Sequence, residues 1–197
     1  SGSSSAPFTL FNGDGRIVKA ESSASSIQLS YVEVRQSGFT QQVQFVNNGD
    51  NDGGVLYANG TVSIDHSTFE YNQYASAGGV VYVENGTLTV SNSTFRGNHG
   101  TKAGVFYGKN ASFVSTSNIY DQNQGLSLGG VYILQSGGSL VDSGSTYTQN
   151  NTDGKGGVLY AANSQSNGIP ISVDITNGEF SGNTTNSGIS SGPGGVF

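Results

Sequence analysis

The aspartates and histidines of this sequence are the side chains that could act as general acids and bases. Enzymes that cleave polysaccharides need two carboxylates close together, or a carboxylate beside Arg or Lys. Asp65, Asp142 and Asp174 lie four, five and six residues before the next aromatic of a repeated motif, so they do not share one position in the repeat. His66 and His99 also hold different positions. We therefore expect no carboxylate cluster, no Ser/His/Asp arrangement, no catalysis and no cofactor.

The segment NNGDNDGG (47–54) is the best candidate for a calcium site. Asp50 and Asp52, together with main-chain carbonyls, could supply hard oxygen ligands. However, the final Glu of a 12-residue calcium loop is missing, and no Gly-Gly-x-Gly-x-Asp repeat occurs. We therefore interpret the segment as an acidic, solvated turn and expect no metal.

Asn-x-Ser/Thr sequons offer acceptors for N-glycosylation, although a chain this rich in Asn, Ser and Thr would contain several by composition alone. Three of them follow a Gly-Gly-Val motif by four or five residues, where an exposed turn is expected. Two others belong to a column that we predict to point inward and should be poor acceptors. The first three are Asn59, Asn85 and Asn110, the inward pair is Asn150 and Asn183, and Asn92 is a further candidate.

Composition excludes several other classes of function. The chain has 197 residues, 34% apolar and 10% charged, with a net charge of −6, which suits one packed domain. It has no basic patch for nucleic acid and no apolar run long enough to span a membrane. It contains no Cys, which excludes disulfides and thiolate metal sites and is compatible with secretion.

Two motifs alternate along the chain at intervals of about 25 residues, which is the signature of a repeat architecture. The first is Gly-Gly-Val followed by apolar residues, with Ala in place of the first Gly at Ala103, and its valines are Val55, Val80, Val105, Val131, Val158 and Val196. The second is an aromatic residue followed three positions later by Asn. Its pairs are Phe45/Asn48, Phe69/Asn72, Phe95/Asn98, Tyr120/Asn123, Tyr147/Asn150 and Phe180/Asn183.

The residues between these motifs predict strands. Apolar residues alternate with polar ones around a third column, seven residues before each later aromatic, and no stretch has helical periodicity. Short strands that repeat in this way favour an all-β fold, a parallel β-helix of six to seven turns with roughly 25 residues per turn. We expect residues 1–38 to form an N-terminal segment with a degenerate first turn, and residues 39–197 to form the repeats. A loop within Ala161–Ser172 accounts for the longest interval.

The paired motifs resemble the Gly-Gly-Ala-Ile/Val and Phe-x-x-Asn repeats of the chlamydial polymorphic membrane proteins over about residues 39–197. This chain has Val where that family usually has Ala, and Tyr replaces Phe at Tyr120 and Tyr147. The resemblance implies a right-handed parallel β-helix that is displayed outside the cell and has an adhesive role. It does not imply an enzyme.

The strand after Gly-Gly-Val has two sets of alternate residues. One set ends in polar or charged residues such as Glu84 and Lys109, and burying these would be costly, so this set is predicted to face outward. The valines of the motif belong to that set. So does an outer tyrosine column of Tyr57, Tyr82, Tyr107, Ile133 and Tyr160. We interpret this column as a surface that contacts another chain or glycans, or else as one that a loop or the N-terminal segment covers.

The aromatic and Asn columns are predicted to be structural. The aromatics would fill the core, and each Asn would turn inward at a corner and bond main-chain groups and the Asn residues above and below.

The whole pattern favours a non-catalytic extracellular structural protein that is N-glycosylated in a suitable host and whose solenoids stack head-to-tail into a filament. The alternatives are a cell-surface adhesin and, with less support, a polysaccharide-active enzyme or an ice-binding protein with Thr61 and Thr87 in its array. The expected partners are further copies of the chain and glycans. The sequence stops at GPGGVF (192–197) as another motif begins, and PFTLFNGDG (7–15) lies outside the clear repeat, so we expect these two regions to meet between copies.

Overall fold

The computed structural model describes residues 8–11, 18–35, 53–162 and 170–186. Every regular element among them is a strand. In chain order the strands are β1 (Phe8–Phe11), β2 (Val18–Ser30), β3 (Val32–Arg35), β4 (Leu56–Asp65), β5 (Thr68–Glu70), β6 (Gln73–Ala75), β7 (Val81–Ser91), β8 (Thr94–Arg96), β9 (His99–Gly100), β10 (Phe106–Thr116), β11 (Ile119–Asp121), β12 (Gln124–Gly125), β13 (Tyr132–Ser143), β14 (Thr146–Thr148), β15 (Asn151–Thr152), β16 (Leu159–Ala162), β17 (Ile171–Thr176), β18 (Glu179–Ser181) and β19 (Thr184–Thr185).

The strands form three parallel sheets that wind into a solenoid. The long-strand sheet has the order β16-β13-β10-β7-β4-β2, with β17 also pairing with β13. The aromatic sheet has the order β1-β3-β5-β8-β11-β14-β18, and the short-strand sheet the order β19-β15-β12-β9-β6. Four successive turns, β4–β6, β7–β9, β10–β12 and β13–β15, each contribute one strand to each sheet, so equivalent residues of these turns lie side by side. At one end β1 and β3 extend the aromatic sheet and β2 extends the long-strand sheet, and at the other end β16 to β19 extend all three sheets.

The predicted fold class is confirmed, and the number of turns is smaller than predicted. The solenoid has about four turns of about 27 residues. From Leu56 onward the register steps of the long strands are 25, 25, 26 and 27 residues, to Val81, Phe106, Tyr132 and Leu159. The step from Val18 of β2 to Leu56 is 38 residues. The step from Tyr147 to Phe180 is 33 residues because the chain between β16 and β17 is longer. The motifs counted at Phe45, Asn48 and Val196 lie outside the described residues, as do Asp50 and Asp52.

The glycines of the Gly-Gly-Val motif allow successive turns to approach closely. A Cβ built on Gly79 would lie 2.1 Å from the carbonyl oxygen of Gly104, and one built on Gly104 would lie 2.1 Å from that of Gly130. Since real Cβ atoms do not approach a backbone oxygen so closely, only glycine fits these corners.

The prediction that the motif valines face outward is wrong. Val55, Val80, Val105, Val131 and Val158 are all buried in the main core. Each valine lies at a corner where strict alternation is interrupted. For example, the N–H groups of Val55 and Leu56 both donate to the carbonyl oxygen of Val80, at 2.9 and 3.0 Å. The N–H groups of two consecutive residues therefore point to the same side, as in a β-bulge. The alternation of inward and outward side chains is interrupted there, so the direction of the residues that follow does not predict the direction of the valine.

The aromatic column forms a continuous stack inside the solenoid, here called the aromatic ladder. Phe69, Phe95, Tyr120 and Tyr147 are fully buried, and their ring centroids are separated by 5.1, 5.4 and 4.9 Å. Phe180, in the last described turn, stacks on Tyr147 at 4.7 Å and is half-buried. The ladder fills the core beside the inward residues of the long strands.

The Asn residues form a second internal stack, the asparagine ladder. The side-chain oxygen of Asn98 accepts from both the N–H and the side-chain amide of Asn72, at 3.1 and 2.9 Å. The amide of Asn98 in turn donates to the oxygen of Asn123 at 3.0 Å and to the carbonyl of Phe69 at 3.0 Å. The same pattern continues through Asn150 to Asn183. Each Asn therefore satisfies main-chain groups that the corner would otherwise bury without partners.

The corner before each aromatic residue contains a second ladder, which was not predicted from the sequence. It consists of the residues two positions before each aromatic, which are Ser67, Ser93, Asn118 and Ser145. The N–H of Ser67 donates to the hydroxyl of Ser93, and the N–H of Ser93 donates to the side-chain oxygen of Asn118. The mixture of Ser and Asn in this column explains why no single-residue repeat revealed it.

Removing one member of the asparagine ladder tests its contribution to stability. Asn98→Ala removes the acceptor that the buried N–H and side-chain amide of Asn72 share, at about 1–3 kcal/mol for each group. We expect the free energy of unfolding to fall by roughly 2–5 kcal/mol in urea denaturation.

Thr89→Ser, at an exposed residue of β7, is the control and should change stability by less than about 1 kcal/mol. Equal losses in the two variants would show that the ladder has no special role.

Candidate functional site

The outer tyrosine column is not an open surface, which corrects the first interpretation given to it. Tyr82, Tyr107 and Ile133 are buried, and Tyr57 and Tyr160 are half-buried at the two ends of the column. Its side chains do point away from the main core, but they belong to a second apolar cluster with Ala77, Ala103 and Leu128. Ala77 and Leu128 lie just before a Gly-Gly-Val motif, and Ala103 holds the first position of the motif that ends at Val105. The alternative interpretation, that a loop covers the column, is the correct one.

Stacking and ion pairing hold this second cluster together. The rings of Tyr57, Tyr82 and Tyr107 stack at 5.2 and 5.0 Å, and the ammonium of Lys102 lies 5.2 Å from the centroid of Tyr107. Beyond the rings, the ammonium of Lys109 lies 2.7 Å from a carboxylate oxygen of Glu84. Glu84 and Lys109, the charged residues from which the outward direction was predicted, therefore lie at the edge of a covered cluster. The cluster itself contributes to packing.

The predicted glycosylation sites divide into exposed and internal positions. Asn85 and Asn110 are exposed, both have φ of +50°, and the amide of Asn110 donates to the oxygen of Asn85 at 3.0 Å. Asn150 is buried in the asparagine ladder and Asn183 continues it, which places both inside the corner.

Asn59 differs from Asn85 and Asn110, the other two sequon asparagines that follow the first motif. It pairs in register with Glu84, and the register shifts between Asn59 and Thr61 because β4 has one residue fewer than β7. It is half-buried, so it is not equivalent to Asn85 and Asn110.

Asp65, His66 and Ser91 meet at one exposed corner. A carboxylate oxygen of Asp65 lies 2.7 Å from Nδ1 of His66, and its other oxygen accepts from the hydroxyl of Ser91 at 2.7 Å and from the amide of Asn92 at 3.2 Å. The hydrogen bond from Ser91, followed by that from His66, lowers the pKa of Asp65. The serine hydroxyl donates to the carboxylate and not to the imidazole, which is not the order of a Ser-His-Asp relay.

The other acidic residues and His99 lie apart from that corner. Asp142 pairs in register with Ser115 inside the core, whereas Asp174 pairs with Val141 on the outer face. His99 is in the short-strand sheet, half-buried, and burial lowers its pKa. Asp65, Asp142 and Asp174 therefore occupy three different columns.

A cluster of hydroxyl groups lies within the core between the third and fourth turns. The hydroxyl of Tyr132 lies 2.7 Å from that of Tyr120, and Ser115 lies within 3.2 Å of both. The hydroxyl of Ser145 donates to Asp142 at 2.7 Å, and all of these side chains are buried. Burial raises the pKa values of Tyr120, Tyr132 and Tyr147 well above the ordinary value for tyrosine.

The end of the solenoid that carries the last described turn exposes residues of core type. Val173 belongs to the column of Leu88, Phe113 and Leu140, which are buried, yet Val173 is 42% exposed. Ile171, Ile175 and Phe180 in the same turn are only partly buried. We call this surface the end face.

Comparison with family models, with curated proteins and with solved structures gives no match. The likeness to the polymorphic membrane proteins, and with it the right-handed winding, therefore stays a prediction from the repeated motifs. Within the described ranges there is no helix of the length and apolarity that a membrane span requires. The same ranges contain no group of three or more His, Asp or Glu side chains placed to hold a metal ion.

The buried tyrosines predict a loss of stability at alkaline pH. Because their pKa values are raised in the folded state, they stay protonated at pH values where the unfolded chain ionises. Their stabilising effect is complete below about pH 10 and is lost as the pH rises further, by about 1.4 kcal/mol per pH unit for each tyrosine. The three together should give a slope of about 4 kcal/mol per pH unit in urea denaturation above pH 10.

Tyr132→Phe should reduce that slope by about a third, and Tyr71→Phe, at an exposed tyrosine, should leave it unchanged. A slope that is insensitive to Tyr132→Phe would contradict the assignment.

Proposed function

We propose that this chain is a non-catalytic extracellular structural protein whose solenoids stack head-to-tail into a filament. The observation that carries the proposal is the end face, where Val173, Ile175 and Phe180 continue columns that are buried in the four preceding turns. Covering these residues with another turn would remove apolar surface from water, at about 25 cal/mol for each Å².

The parallel sheets favour head-to-tail stacking of copies. All the strands run in the same direction and in register, so a further parallel strand can add at either end of a sheet. Such an edge invites pairing with another chain. A contact between opposite ends of identical copies is heterologous, and when its rotation does not close a ring it produces a filament.

The adhesin alternative loses one of the surfaces on which it depended. Tyr82, Tyr107 and Ile133 are buried beneath the segments that carry Ala77, Ala103 and Leu128, so they cannot meet a ligand without displacing them. The exposed asparagines Asn85, Asn92 and Asn110 support the glycosylated, extracellular part of the proposal.

The end face can be tested with a matched pair of substitutions. Val173→Asp places a charge on the end face, whereas Val141→Asp places one on the lateral outer face, where Val141 is 45% exposed. Both positions are similarly exposed and lie in neighbouring strands, so the cost to the isolated chain should be similar. We expect Val173→Asp to raise the concentration needed for assembly at least about tenfold, the equivalent of ~1.4 kcal/mol, and Val141→Asp to leave it unchanged.

Sedimentation velocity and negative-stain images would measure this difference. Equal assembly of the two variants would exclude the end face as the contact. A parent chain that stays monomeric at high concentration would overturn the filament proposal.

Glycan occupancy tests the extracellular assignment of the surface asparagines. After expression through a eukaryotic secretory pathway, peptide mapping should find glycans at Asn85, Asn110 or Asn92. Asn150 and Asn183 should be unoccupied, because a glycan there would break the asparagine ladder. Occupancy confined to Asn150 and Asn183 would contradict the corner geometry.

A further inference from the structure

β1, the first strand of the aromatic sheet, is the candidate for the segment of the next copy that binds the end face. This inference rests on the proposed function. The aromatic sheet begins with β1 and ends with β18 among the described residues. β1 pairs in parallel with β3, with Leu10 opposite Val34, and Val34 is opposite Phe69. Leu10 therefore holds the register position of the aromatic ladder.

We propose that β1 of one copy adds to β18 of the preceding copy as the next parallel strand of the aromatic sheet. In this arrangement Leu10 takes the position opposite Phe180, and Thr9 and Phe11 take those opposite Glu179 and Ser181. The occupant of this edge is a second copy of the chain, because β1 already pairs in the same register with a strand of the same sheet.

The repeated hydrogen bonds of the corner residues define the contact. In each turn the N–H group of the residue before the aromatic donates to a carbonyl of the preceding turn. Thr94 donates to Ser67, and Glu179 donates to Ser145, at 2.9 and 3.0 Å. The equivalent bond across the interface runs from the N–H of Thr9 to the carbonyl of Gly178.

The other end of the short strand supplies a second bond. The N–H of the residue two positions after each aromatic donates to a carbonyl of the following turn, as Gln149 does to Ser181 at 2.8 Å. The equivalent bond across the interface runs from the N–H of Gly182 to the carbonyl of Phe11. The repeat thus specifies both the direction and the register of the added strand.

A single proline substitution can disrupt the proposed interface without disrupting the fold of the isolated chain. Successive N–H groups of a strand point to opposite neighbours, so the N–H of Thr9 faces away from β3. Proline is tolerated on an edge strand where its missing N–H would face solvent, and it blocks further pairing at that edge. Thr9→Pro should therefore leave the thermal melt of the monomer within about 2 °C of the parent. It should abolish filaments at concentrations where the parent assembles.

A pair of peptides added to the intact chain provides the second test. A peptide of residues 6–15 should cap β18 and shorten filaments when it is present in excess. The same peptide N-methylated at Leu10 should also cap, because that N–H faces away from β18, whereas N-methylation at Thr9 should abolish capping.

The outcomes separate this inference from the proposed function. Filaments of Thr9→Pro that form at the parent's concentration would overturn the pairing of β1 with β18, while head-to-tail stacking would remain. If Thr9→Pro itself unfolds, equal capping by the two methylated peptides, or none by either, would overturn the pairing. A parent chain without filaments would overturn both proposals.

Discussion

The hydrogen bonding of buried corners is the constraint on which the rest of this solenoid depends. A turn of about 27 residues must change direction several times, and each change buries main-chain N–H and C=O groups that cannot be left without partners. The asparagine ladder supplies hydrogen-bond partners at one corner, and the second ladder, of Ser67, Ser93, Asn118 and Ser145, supplies them at another. Glycine allows the close approach of successive turns at a third corner. Because each ladder bonds to the turns above and below, the corners also set the register between turns. The aromatic ladder can stack only because that register is kept.

The repeats predicted the fold because one residue type at a fixed interval has the same environment in every turn. Phe69, Phe95 and Asn98 could be placed from spacing alone. Environments that differ within a turn were harder to predict. The burial of Val55 depends on a shared hydrogen-bond acceptor at the corner, and Tyr82 is covered in a cluster that includes Ala77, the residue just before its own Gly-Gly-Val motif. Neither relation is visible as a period of two.

Small differences between repeats explain the remaining errors. Asn59 looks equivalent to Asn85 in the sequence, but β4 is one residue shorter at that point, so the two residues have different neighbours. The polar cluster of Ser115, Asp142 and Tyr132 replaces apolar residues of the same columns in two turns only. Such a change does not affect the repeat, but it places hydroxyl and carboxyl groups in the interior of the third and fourth turns.

Head-to-tail stacking connects this architecture with the proposed role, because the same ladders that join turns within a copy would join one copy to the next. The most direct measurement is the subunit rise of the assembled filament by cryo-electron microscopy. If β1 follows β18, each copy adds seven strands to the aromatic sheet, which at ~4.8 Å per strand gives a rise of about 34 Å with strands perpendicular to the filament axis. A rise that is not close to this value, or strands running along the axis, would contradict the account.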